Sequence, residues 1–437
     1  MTAAIQEKTT RGRVPATRTA PPARPAAPPA SQTASRTAAS PSARNQTPPA
    51  GAGDLVTPVS GLVDLRDGHA FLRTSGYRAA RDDVLLTQSQ ARQYGLRTGD
   101  LVTGAARAAG AGQPSRGRSR HRTLASLDTV NGGPVAAARQ RPRFDQLTPL
   151  HPDERLRLDG GAAAPAARII DLVSPVGKGQ RGLIVAPPKA GKTMVLQAIA
   201  AAVTAGHPAA QLMVVLVGER PEEVTDLRRT VRGEVIYSTF DAAAADHVMV
   251  AELAIERARR LAELGQDVVV LLDSITRLGR AYNLAAPASS RILTGGVAAS
   301  ALQGPRQFLG AARNLEDAGS LTILATALAE TGSRMDDVFF EELKGTGNME
   351  LRLRRDLAER GLFPAVDVTA SGTRRDELLM AADEYAAVTG LRRALAGLEP
   401  RQALELLLGK IQQTGSNAEL LLAVSDEGAG RPARWRP

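Results

Sequence analysis

The feature that most restricts the fold of this chain is a series of short apolar segments that alternate with longer helical patterns between residues 181 and 328. The first segment, RGLIVA, leads through a glycine-lysine turn into TMVLQAIAAAVTA, and the runs QLMVVLVG, VIYSTF, DVVVLLDS and LTILATAL follow. Apolar strands that alternate with helices of ten or more residues predict a parallel sheet that is covered on both faces. The sequence therefore predicts an α/β core.

The turn after the first apolar segment is almost a phosphate-binding loop. Residues 189–193, KAGKT, supply the glycine, lysine and hydroxyl of G-x-x-x-x-G-K-[ST], although Ala186 replaces the first glycine. In such loops backbone N–H groups converge on phosphate oxygens, the lysine neutralises phosphate charge and the hydroxyl ligates Mg²⁺. We therefore expect ATP and Mg²⁺ at Lys192 and Thr193, with a fortuitous loop as the alternative.

Two carboxylates are expected beside this loop. Asp273 ends the run DVVVLLD and Glu219 ends LMVVLVGE, so both stand at the carboxyl ends of predicted strands, where open α/β sheets bind their ligands. Asp273 can hold Mg²⁺ through water, and Glu219 can polarise the water that attacks the γ-phosphate. Arg220 is expected to orient Glu219 or the phosphate. The alternative for Glu219 and Arg220 is a helix-terminal acid and a surface ion pair.

Composition narrows the possible classes of protein. The 437 residues include no cysteine, which excludes a disulfide framework, a thiolate zinc site and a cysteine nucleophile. No stretch approaches the roughly 20 apolar residues of a membrane span, so we expect a soluble cytoplasmic protein without a membrane partner. The formal net charge of +10 favours a polyanionic partner. Three of the six lysines (Lys178, Lys189 and Lys192) surround the predicted nucleotide site.

The composition also changes along the chain and predicts five segments. Residues 1–53 are rich in Ala, Pro, Thr, Ser and Arg, and we expect a disordered basic arm that either holds nucleic acid electrostatically or serves solubility. Residues 54–136 contain short alternating runs typical of a small antiparallel barrel, and they include a basic loop. The remaining segments are a linker (137–166), an ATPase domain (167–425) and a flexible tail (426–437).

Long strings in the sequence resemble the bacterial Rho family of transcription termination factors. They lie between about Leu62 and Leu407 and include GLRTGD, GQRGLIVAPPKAGKTM, ERPEEVTDL, LLDSITRLGRAYN, LTGGV, TGSRMD, EELKGTGNMEL and SGTRRDELL. The resemblance implies a RecA-like ATPase core preceded by an OB-type barrel. It also implies a homohexameric, RNA-dependent ATPase that moves 5′ to 3′ along single-stranded RNA as a helicase and displaces the RNA polymerase complex.

The resemblance extends to individual residues around the nucleotide. It implies that Arg374 is an arginine finger that reaches into the next subunit's site, and that Gly177 to Gly182 lie near the nucleotide. Thr193 would hold Mg²⁺ directly and Asp273 through water. The predicted catalytic set is Lys192, Glu219, Arg220, Asp273 and Arg374. The predicted nucleotide-binding set is Gly177, Lys178, Gly179, Gln180, Arg181, Gly182, Lys189, Ala190, Gly191, Lys192, Thr193, Met194 and Arg220.

On the same resemblance, RNA is expected at two places. The loops at 287–298 and 331–334 would line a pore, with Arg291 and Arg334 touching phosphates. On the barrel, Phe71 would stack a base, for about 1–3 kcal/mol per stack, and Arg73 would bind phosphate. The alternative is that Phe71 belongs to the barrel core. The predicted barrel contacts are Gly68, His69, Ala70, Phe71, Leu72, Arg73, Asp83, Val84 and Leu85.

Four positions depart from the family pattern. His69 and Leu85 stand where aromatic residues are common, which predicts weaker stacking and altered base selectivity. We expect the arginines of the basic arm and of the 116–122 loop to replace part of that stacking with charge. Gly218 stands where an acid is expected, and Gly361 stands where an arginine is expected.

Two other classes of protein share parts of this pattern. A catalytic subunit of a rotary or export ATPase would share the sheet and the hexamer, but its ATP turnover would not respond to RNA. A non-enzymatic RNA-binding protein would change little beyond binding if Lys192 were replaced by alanine. ATP turnover with and without a pyrimidine-rich single-stranded RNA therefore separates the three classes.

Overall fold

The computed structural model describes residues 56–66, 68–108, 121–160 and 164–430. The predicted basic arm (1–53), most of the predicted basic loop (109–120) and the last residues of the predicted tail (431–437) lie outside these ranges. Within them, the chain forms a barrel followed by a parallel α/β domain, which confirms the predicted fold class.

The described residues of ranges 56–66, 68–108 and 121–140 form the barrel and two short helices that pack on it. A parallel pairing between its third and fifth strands closes the sheet, and its other strand pairs are antiparallel. Inward-facing residues such as Val63, Leu72 and Val84 form the barrel core. The elements are β1 (Val56–Arg66), β2 (His69–Arg73), β3 (Val84–Leu86), α1 (Gln88–Tyr94), β4 (Leu101–Arg107), β5 (Arg122–Val130), β6 (Gly133–Pro134) and α2 (Val135–Gln140).

The second sheet is the core of the α/β domain. Its strands are β7 (Pro149–Leu150), β8 (Arg181–Ala186), β9 (Gln211–Glu219), β10 (Glu234–Thr239), β11 (Val268–Asp273), β12 (Arg313–Leu315), β13 (Ser320–Leu328), β14 (Met349–Arg352) and β15 (Gly372–Thr373). The order is β10-β9-β11-β13-β8-β14-β15, and the strands from β10 to β14 in this order run parallel. Neighbouring residues such as Leu183 and Ile184 pack on opposite faces, so both faces of the sheet are covered. The apolar runs of the sequence are therefore buried strands, as predicted.

Helices lie on both faces of this sheet and after it. The last helix continues to Gly430, so the chain from residue 426 to 430 is helical where the sequence predicted a flexible tail. Within the described ranges, no helix is both long enough and apolar enough to cross a membrane. The helices are α3 (Pro165–Val173), α4 (Lys192–Gly206), α5 (Pro221–Thr230), α6 (Ala244–Glu263), α7 (Ile275–Ala285), α8 (Gln303–Gly310), α9 (Arg334–Lys344), α10 (Arg355–Glu359), α11 (Ala382–Ala396), α12 (Pro400–Gln412) and α13 (Asn417–Gly430).

The segment predicted as a linker (137–166) divides between the two domains, since residues 137–140 complete α2 on the barrel and residues 149–158 pack onto the α/β domain. Its strand β7 pairs with β12, and Leu156 and Leu158 are buried in the core. Arg155 forms a buried ion pair with Asp171 at 2.7 Å. Residues 149–158 therefore belong structurally to the α/β domain, because Leu156 and Leu158 complete that core.

The barrel rests on α6 and on the edge of the second sheet. The Tyr77 hydroxyl donates a hydrogen bond to Glu234 of β10 at 2.8 Å. Gly99 has a φ of +87°, and a Cβ at this position would lie 2.4 Å from the carbonyl carbon of Glu256 on α6. A glycine is therefore required where the barrel backbone approaches this helix.

Candidate active site and nucleic-acid interface

The phosphate loop joins the carboxyl end of β8 to the first turn of α4. Lys189 and Gly191 have φ values of 68° and 86°, so the loop contains two left-handed residues. Such a turn directs successive backbone N–H groups toward one point at a helix N-terminus, which is the arrangement that binds phosphate. Next to the loop lies Phe363, whose ring would be 3.2 Å from a Cβ at position 191 and which is 40% exposed. The sequence analysis did not identify this ring.

Beside the loop, Lys192 lies between the two predicted carboxylates. Its Nζ is 3.1 Å from Glu219 Oε1 and 2.6 Å from Asp273 Oδ1. Both carboxylates are buried. Glu219 and Asp273 end the neighbouring parallel strands β9 and β11, so their side chains lie close together. Asp273 also accepts a hydrogen bond from Thr326 Oγ1 at 2.7 Å. The structure thus brings together Lys192, Glu219 and Asp273 as the sequence predicted.

The arginine partner of Glu219 is Arg277, and the expectation for Arg220 needs correction. Arg277 Nη1 lies 2.6 Å from Glu219 Oε1 and donates to the Gly218 carbonyl at 2.8 Å. The Arg220 side chain is 68% exposed and lies 3.9 Å from Glu223, because Arg220 precedes the helix that Pro221 starts and turns away from the sheet. Arg277 follows Asp273 by four residues and lies in the first turn of α7. This turn brings its side chain to the carboxyl end of β9, where Glu219 is. That spacing was a usable signal in the sequence.

This environment keeps Glu219 ionised. Burial would raise its pKa, but the positive charges of Lys192 and Arg277 outweigh burial and hold the pKa of Glu219 below its usual value. For Glu223 the balance is opposite, since burial and the nearby Glu219 raise its pKa. Glu219 can therefore accept a hydrogen bond from a water molecule at neutral pH.

Six of the predicted nucleotide contacts, Gly177 to Gly182, lie at the amino end of β8, away from the phosphate loop at its carboxyl end. Gly177 to Gly182 precede or begin β8, whereas the phosphate loop follows its last residue, and six strand residues span roughly 20 Å. Lys178 lies 2.5 Å from Glu154 and 2.8 Å from Asp267. The expectation that these residues surround the nucleotide of their own chain is therefore corrected, because the strand separates them from Lys192.

Arg374 also lies at the amino ends of the parallel strands. It directly follows β15, and Thr373 pairs with Met349, which in turn pairs with Gly182. The Arg374 side chain is exposed. Arg374 is therefore separated by the length of the strands from the phosphate loop of its own chain, and its role as an arginine finger stays a prediction.

On the barrel, β2 carries its rings on the outer surface. His69 is exposed and Phe71 is partly exposed, while Ala70 and Leu72 between and after them are buried. The Phe71 ring lies 6.3 Å from the His69 ring and 5.4 Å from the His121 ring, in an edge-on arrangement with the latter. This alternation excludes Phe71 from the barrel core and leaves it available for stacking.

The remaining predicted barrel contacts divide by burial. Gly68 is exposed, and Leu85 is partly exposed opposite Phe71 on the neighbouring strand. Asp83 and Val84 are buried. Side chains of the buried residues support the surface from behind and do not reach a ligand on it.

The expectation that Arg73 binds phosphate also needs correction. Its Nε and Nη2 donate to Asp64 Oδ2 at 2.9 and 2.6 Å, and its Nη1 donates to Asp83 Oδ2 at 2.7 Å. Both carboxylates are 1% exposed, so the guanidinium compensates two buried charges. Arg73 also lies 5.2 Å from the centre of the Phe71 ring. It therefore supports the ring and is not free to hold RNA.

The two predicted pore loops lie against each other. A Cβ on Gly295 of the first loop would lie 2.9 Å from the carbonyl oxygen of Arg334 in the second. Arg291 and Arg334 are both exposed. The structure thus places two exposed cations on adjoining loops.

The glycine departures have a local structural reason. Gly218 and Gly361 have φ values of 63° and 75°, in the left-handed region that glycine adopts without strain. Gly361 follows the C-terminal end of α10, a position where glycine is common. These substitutions therefore fit the backbone that surrounds them.

Comparison with known proteins supports both halves of the chain. Residues 59–136 match the RNA-binding domain of the Rho termination factor, and residues 166–373 match the nucleotide-binding domain of the ATP synthase alpha/beta family. Among solved structures, a prototypical ATPase from the type III secretion system of pathogenic bacteria has a TM-score of 0.54 at 23% identity, covering 64% of this chain and 87% of that one. The assembled ATPase EscN of the enteropathogenic E. coli type III secretion system has a TM-score of 0.53 at 23% identity, covering 65% and 74%. This likeness concerns the fold alone.

The sequence relatives are more similar. The chain is 60% identical over 381 residues to a transcription termination factor Rho of Streptomyces lividans, covering 87% of this chain and 53% of that protein. It is 58% identical over 372 residues to that of Mycobacterium bovis, covering 85% and 62%, so it spans between half and two thirds of the length of these two relatives. With the protein of the same name from Streptosporangium roseum, the identity is 58% over 366 residues, covering 84% and 92%. From the shared barrel, the shared nucleotide-binding domain and this identity over nearly the whole of a relative, the chain belongs to the Rho family of transcription termination factors.

Proposed function

We propose that this protein is an RNA-dependent ATPase that translocates along single-stranded RNA and terminates transcription by displacing the polymerase complex in the cytoplasm. The single observation that carries the proposal is the convergence of Lys192, Glu219, Asp273 and Arg277 beside a phosphate loop, in a chain that also has a Rho-type RNA-binding barrel. Neither half alone would support a motor that acts on RNA.

In the proposed site, the phosphate loop and Lys192 bind the ATP phosphates. The flexible ammonium of Lys192 would exchange its contacts with Glu219 and Asp273 for contacts with phosphate oxygens when ATP binds. Phe363 lies beside the loop with much of its ring exposed, and it would stack on the base. Together these residues fix both ends of the nucleotide.

Glu219 would orient the attacking water. Its ionised carboxylate lies next to Lys192, and Arg277 holds it at this edge of the sheet. A carboxylate fixed in this way accepts a hydrogen bond from water and aligns its lone pair with the γ-phosphate. Arg277 is thus a positioning residue, and it replaces Arg220 in that role.

The residues beside the loop fit a magnesium ion. Thr193 lies in the first turn of α4, and the buried Asp273 contacts the preceding residue, Lys192, at 2.6 Å. Mg²⁺ prefers oxygen ligands and in such sites is held by one or two protein groups together with phosphates and water. When bound, Mg²⁺ would neutralise charge that develops on the phosphates.

We further propose that the active unit is a homohexamer in which Arg374 completes the neighbouring site. The proposal is supported by the exposure of Arg374 and by its position at the edge opposite its own phosphate loop. A cation supplied in trans contributes about 10³- to 10⁵-fold in rate. This arrangement makes hydrolysis depend on the contact between subunits.

RNA would be bound first at the barrel and then at the adjoining loops. On the barrel the stacking residues would be His69 and Phe71, with His121 at the edge of the Phe71 ring. Arg291 and Arg334, both exposed, would contact phosphates in the pore. A rotary or export ATPase would need neither set.

The primary test is ATP turnover by the purified chain with and without pyrimidine-rich single-stranded RNA. We expect turnover to rise when RNA is added. Equal turnover in both conditions would contradict an RNA-dependent motor and favour the rotary or export class. No turnover in either condition, together with intact RNA binding, would favour a non-enzymatic RNA-binding protein.

A mixing experiment tests the role of Arg374. Arg374→Ala and Lys192→Ala should each be inactive alone, since each variant removes a different part of every site. In an equal mixture, roughly a quarter of the interfaces pair an intact Lys192 with an intact Arg374 when six identical positions are filled at random. Turnover should then reappear, up to about that fraction. A mixture as inactive as its components would contradict a finger supplied in trans.

A further inference from the structure

A basic cleft separates the barrel from the α/β domain. It encloses about 1070 Å³ between α1 and α2 on one side and α6 and α8 on the other. Its lining contains eight arginines and four acidic residues, which leaves a formal charge of four positive units. The nucleotide site lies elsewhere, because neither the phosphate loop nor its carboxylates line this cleft.

The excess charge comes from arginines on both walls. Arg92 on α1, Arg139 on α2 and Arg313 on the α/β domain form no ion pair with any described residue, and Arg92 and Arg139 are exposed. Deeper in the cleft, the Nε atoms of Arg259 and Arg260 are buried and have no hydrogen-bond partner. Arg260 is only 6% exposed, so an unused donor there is costly without a ligand.

Two aromatic rings that line the cleft already have partners and are not free to stack on a base. The Phe144 ring is covered by Arg259 and Arg313, whose guanidinium carbons lie 5.5 and 5.6 Å from its centre. The Tyr282 hydroxyl donates to Glu252 at 2.9 Å. Guanidinium groups without a free aromatic surface suit phosphates and are indifferent to base identity.

The position of the cleft links the two predicted RNA-binding surfaces. At one end lies Arg66, whose cross-strand partner is His69 on the face that carries Phe71. At the other end lies Gln307 on α8, the helix that follows the 287–298 loop. A single RNA strand that leaves the barrel and enters the pore loops can therefore pass along this cleft.

We propose that the cleft binds the phosphate backbone of single-stranded RNA between the barrel and the pore loops. This inference rests on the proposed RNA-dependent function and adds a site to it. The site is sequence-independent, since its arginines meet phosphates. It also joins the two domains through a common ligand, because one wall belongs to each domain.

The test compares short and long RNA on the double variant Arg92→Gln/Arg139→Gln in the absence of ATP. The short probe is an oligocytidine of about 6 nucleotides, and the long probe has about 40, since an OB-type barrel holds about 4–16 nucleotides. The matched control is Arg229→Gln/Arg401→Gln, which removes two exposed arginines far from the cleft in the fold. Affinity is measured as a function of salt.

For the long probe we expect weaker binding and a smaller salt dependence. Each lost phosphate contact on a single strand lowers the slope of log K against log salt by about 0.7, so two contacts lower it by about 1.4. The short probe and the control variant should show wild-type values. An unchanged slope for the long probe would overturn the proposal, as would equal losses for both probes, which would place the arginines in the barrel site itself.

Inorganic tripolyphosphate distinguishes RNA from a free polyphosphate. If the double variant loses binding of tripolyphosphate while its slope for long RNA is unchanged, the cleft is a small-anion site and the proposal is wrong. Failure of the wider function is recognised separately, because wild-type ATP turnover would then not respond to RNA at all.

Discussion

Two buried charge clusters in this molecule have similar composition and different consequences. In the α/β domain, Lys192 lies between Glu219 and Asp273, and in the barrel, Arg73 lies between Asp64 and Asp83. The lysine is a flexible point charge beside a phosphate loop, so a ligand can take the place of its carboxylates. The arginine is a planar fork that is bonded through all three nitrogens, and its geometry is fixed. Each cluster holds one cation between two carboxylates. The lysine cluster is suited to ligand binding, whereas the arginine cluster stabilises the barrel.

The largest effect that separates the clusters is expected for Lys192→Ala. Removing the ammonium should lower ATP turnover by at least about 10²- to 10³-fold, the loss expected for one preorganised group that stabilises developing charge. The measurement is steady-state phosphate release in the presence of RNA. Arg401→Ala, which removes a surface cation paired with Glu405, should retain wild-type turnover. Turnover within tenfold of wild type would show that Lys192 does not act on the phosphates.

The next effect is on stability and is expected for Arg73→Leu. Loss of one partner from a buried ion cluster leaves unpaired carboxylates and should cost about 3–5 kcal/mol. Denaturant unfolding followed by a probe in the barrel measures this cost. Arg143→Leu, at an exposed pair with Asp145, should cost less than about 1 kcal/mol. If Arg73→Leu kept wild-type stability and weakened RNA binding alone, Arg73 would be the phosphate ligand that the sequence suggested.

A smaller effect, confined to RNA binding, is expected for Phe71→Ala. Loss of one stacked base should weaken binding of a labelled pyrimidine-rich RNA by about 1–3 kcal/mol, measured by fluorescence anisotropy. Unfolding should change little, since the ring lies outside the barrel core. Phe71→Tyr should retain affinity. Unchanged affinity in Phe71→Ala would place the stacking surface elsewhere on the barrel.

The smallest effect is the pH dependence of stability at Glu219. Its pKa is lower in the folded protein than in the unfolded chain, where a glutamate titrates near about 4.3. The ionised form therefore stabilises the fold above that pH, and this contribution disappears as the pH falls through the folded-state pKa. The difference in unfolding free energy between wild type and Glu219→Gln should shrink as the pH falls below about 4.3, the unfolded-state value. A difference that grows on acidification would mean that burial prevails over Lys192 and Arg277.

The sequence predicted much of the ATP site because its residues follow apolar strands. Glu219 and Asp273 end buried runs, and strand ends of a parallel sheet meet at one edge. The expectation for Gly177 to Gly182 came from the family resemblance alone, and in the structure the six residues of β8 separate this segment from the phosphate loop. Arg73 was misassigned because its partners, Asp64 and Asp83, come from separate strands and meet it only when the barrel closes. Such ion pairs depend on which residues of neighbouring strands lie opposite each other, and a local sequence pattern does not predict this.

The hydrogen bond from Tyr77 to Glu234 affects whether the α/β domain would be well behaved as a separate fragment. Strand β10 borders the second sheet, and a border strand has backbone groups that can recruit a strand from another molecule. Tyr77 and Arg78 lie across that border, with Arg78 over the ring of Tyr237 at 5.3 Å. A fragment that lacks the barrel would expose this border and tend to aggregate, so the barrel protects the sheet from self-association.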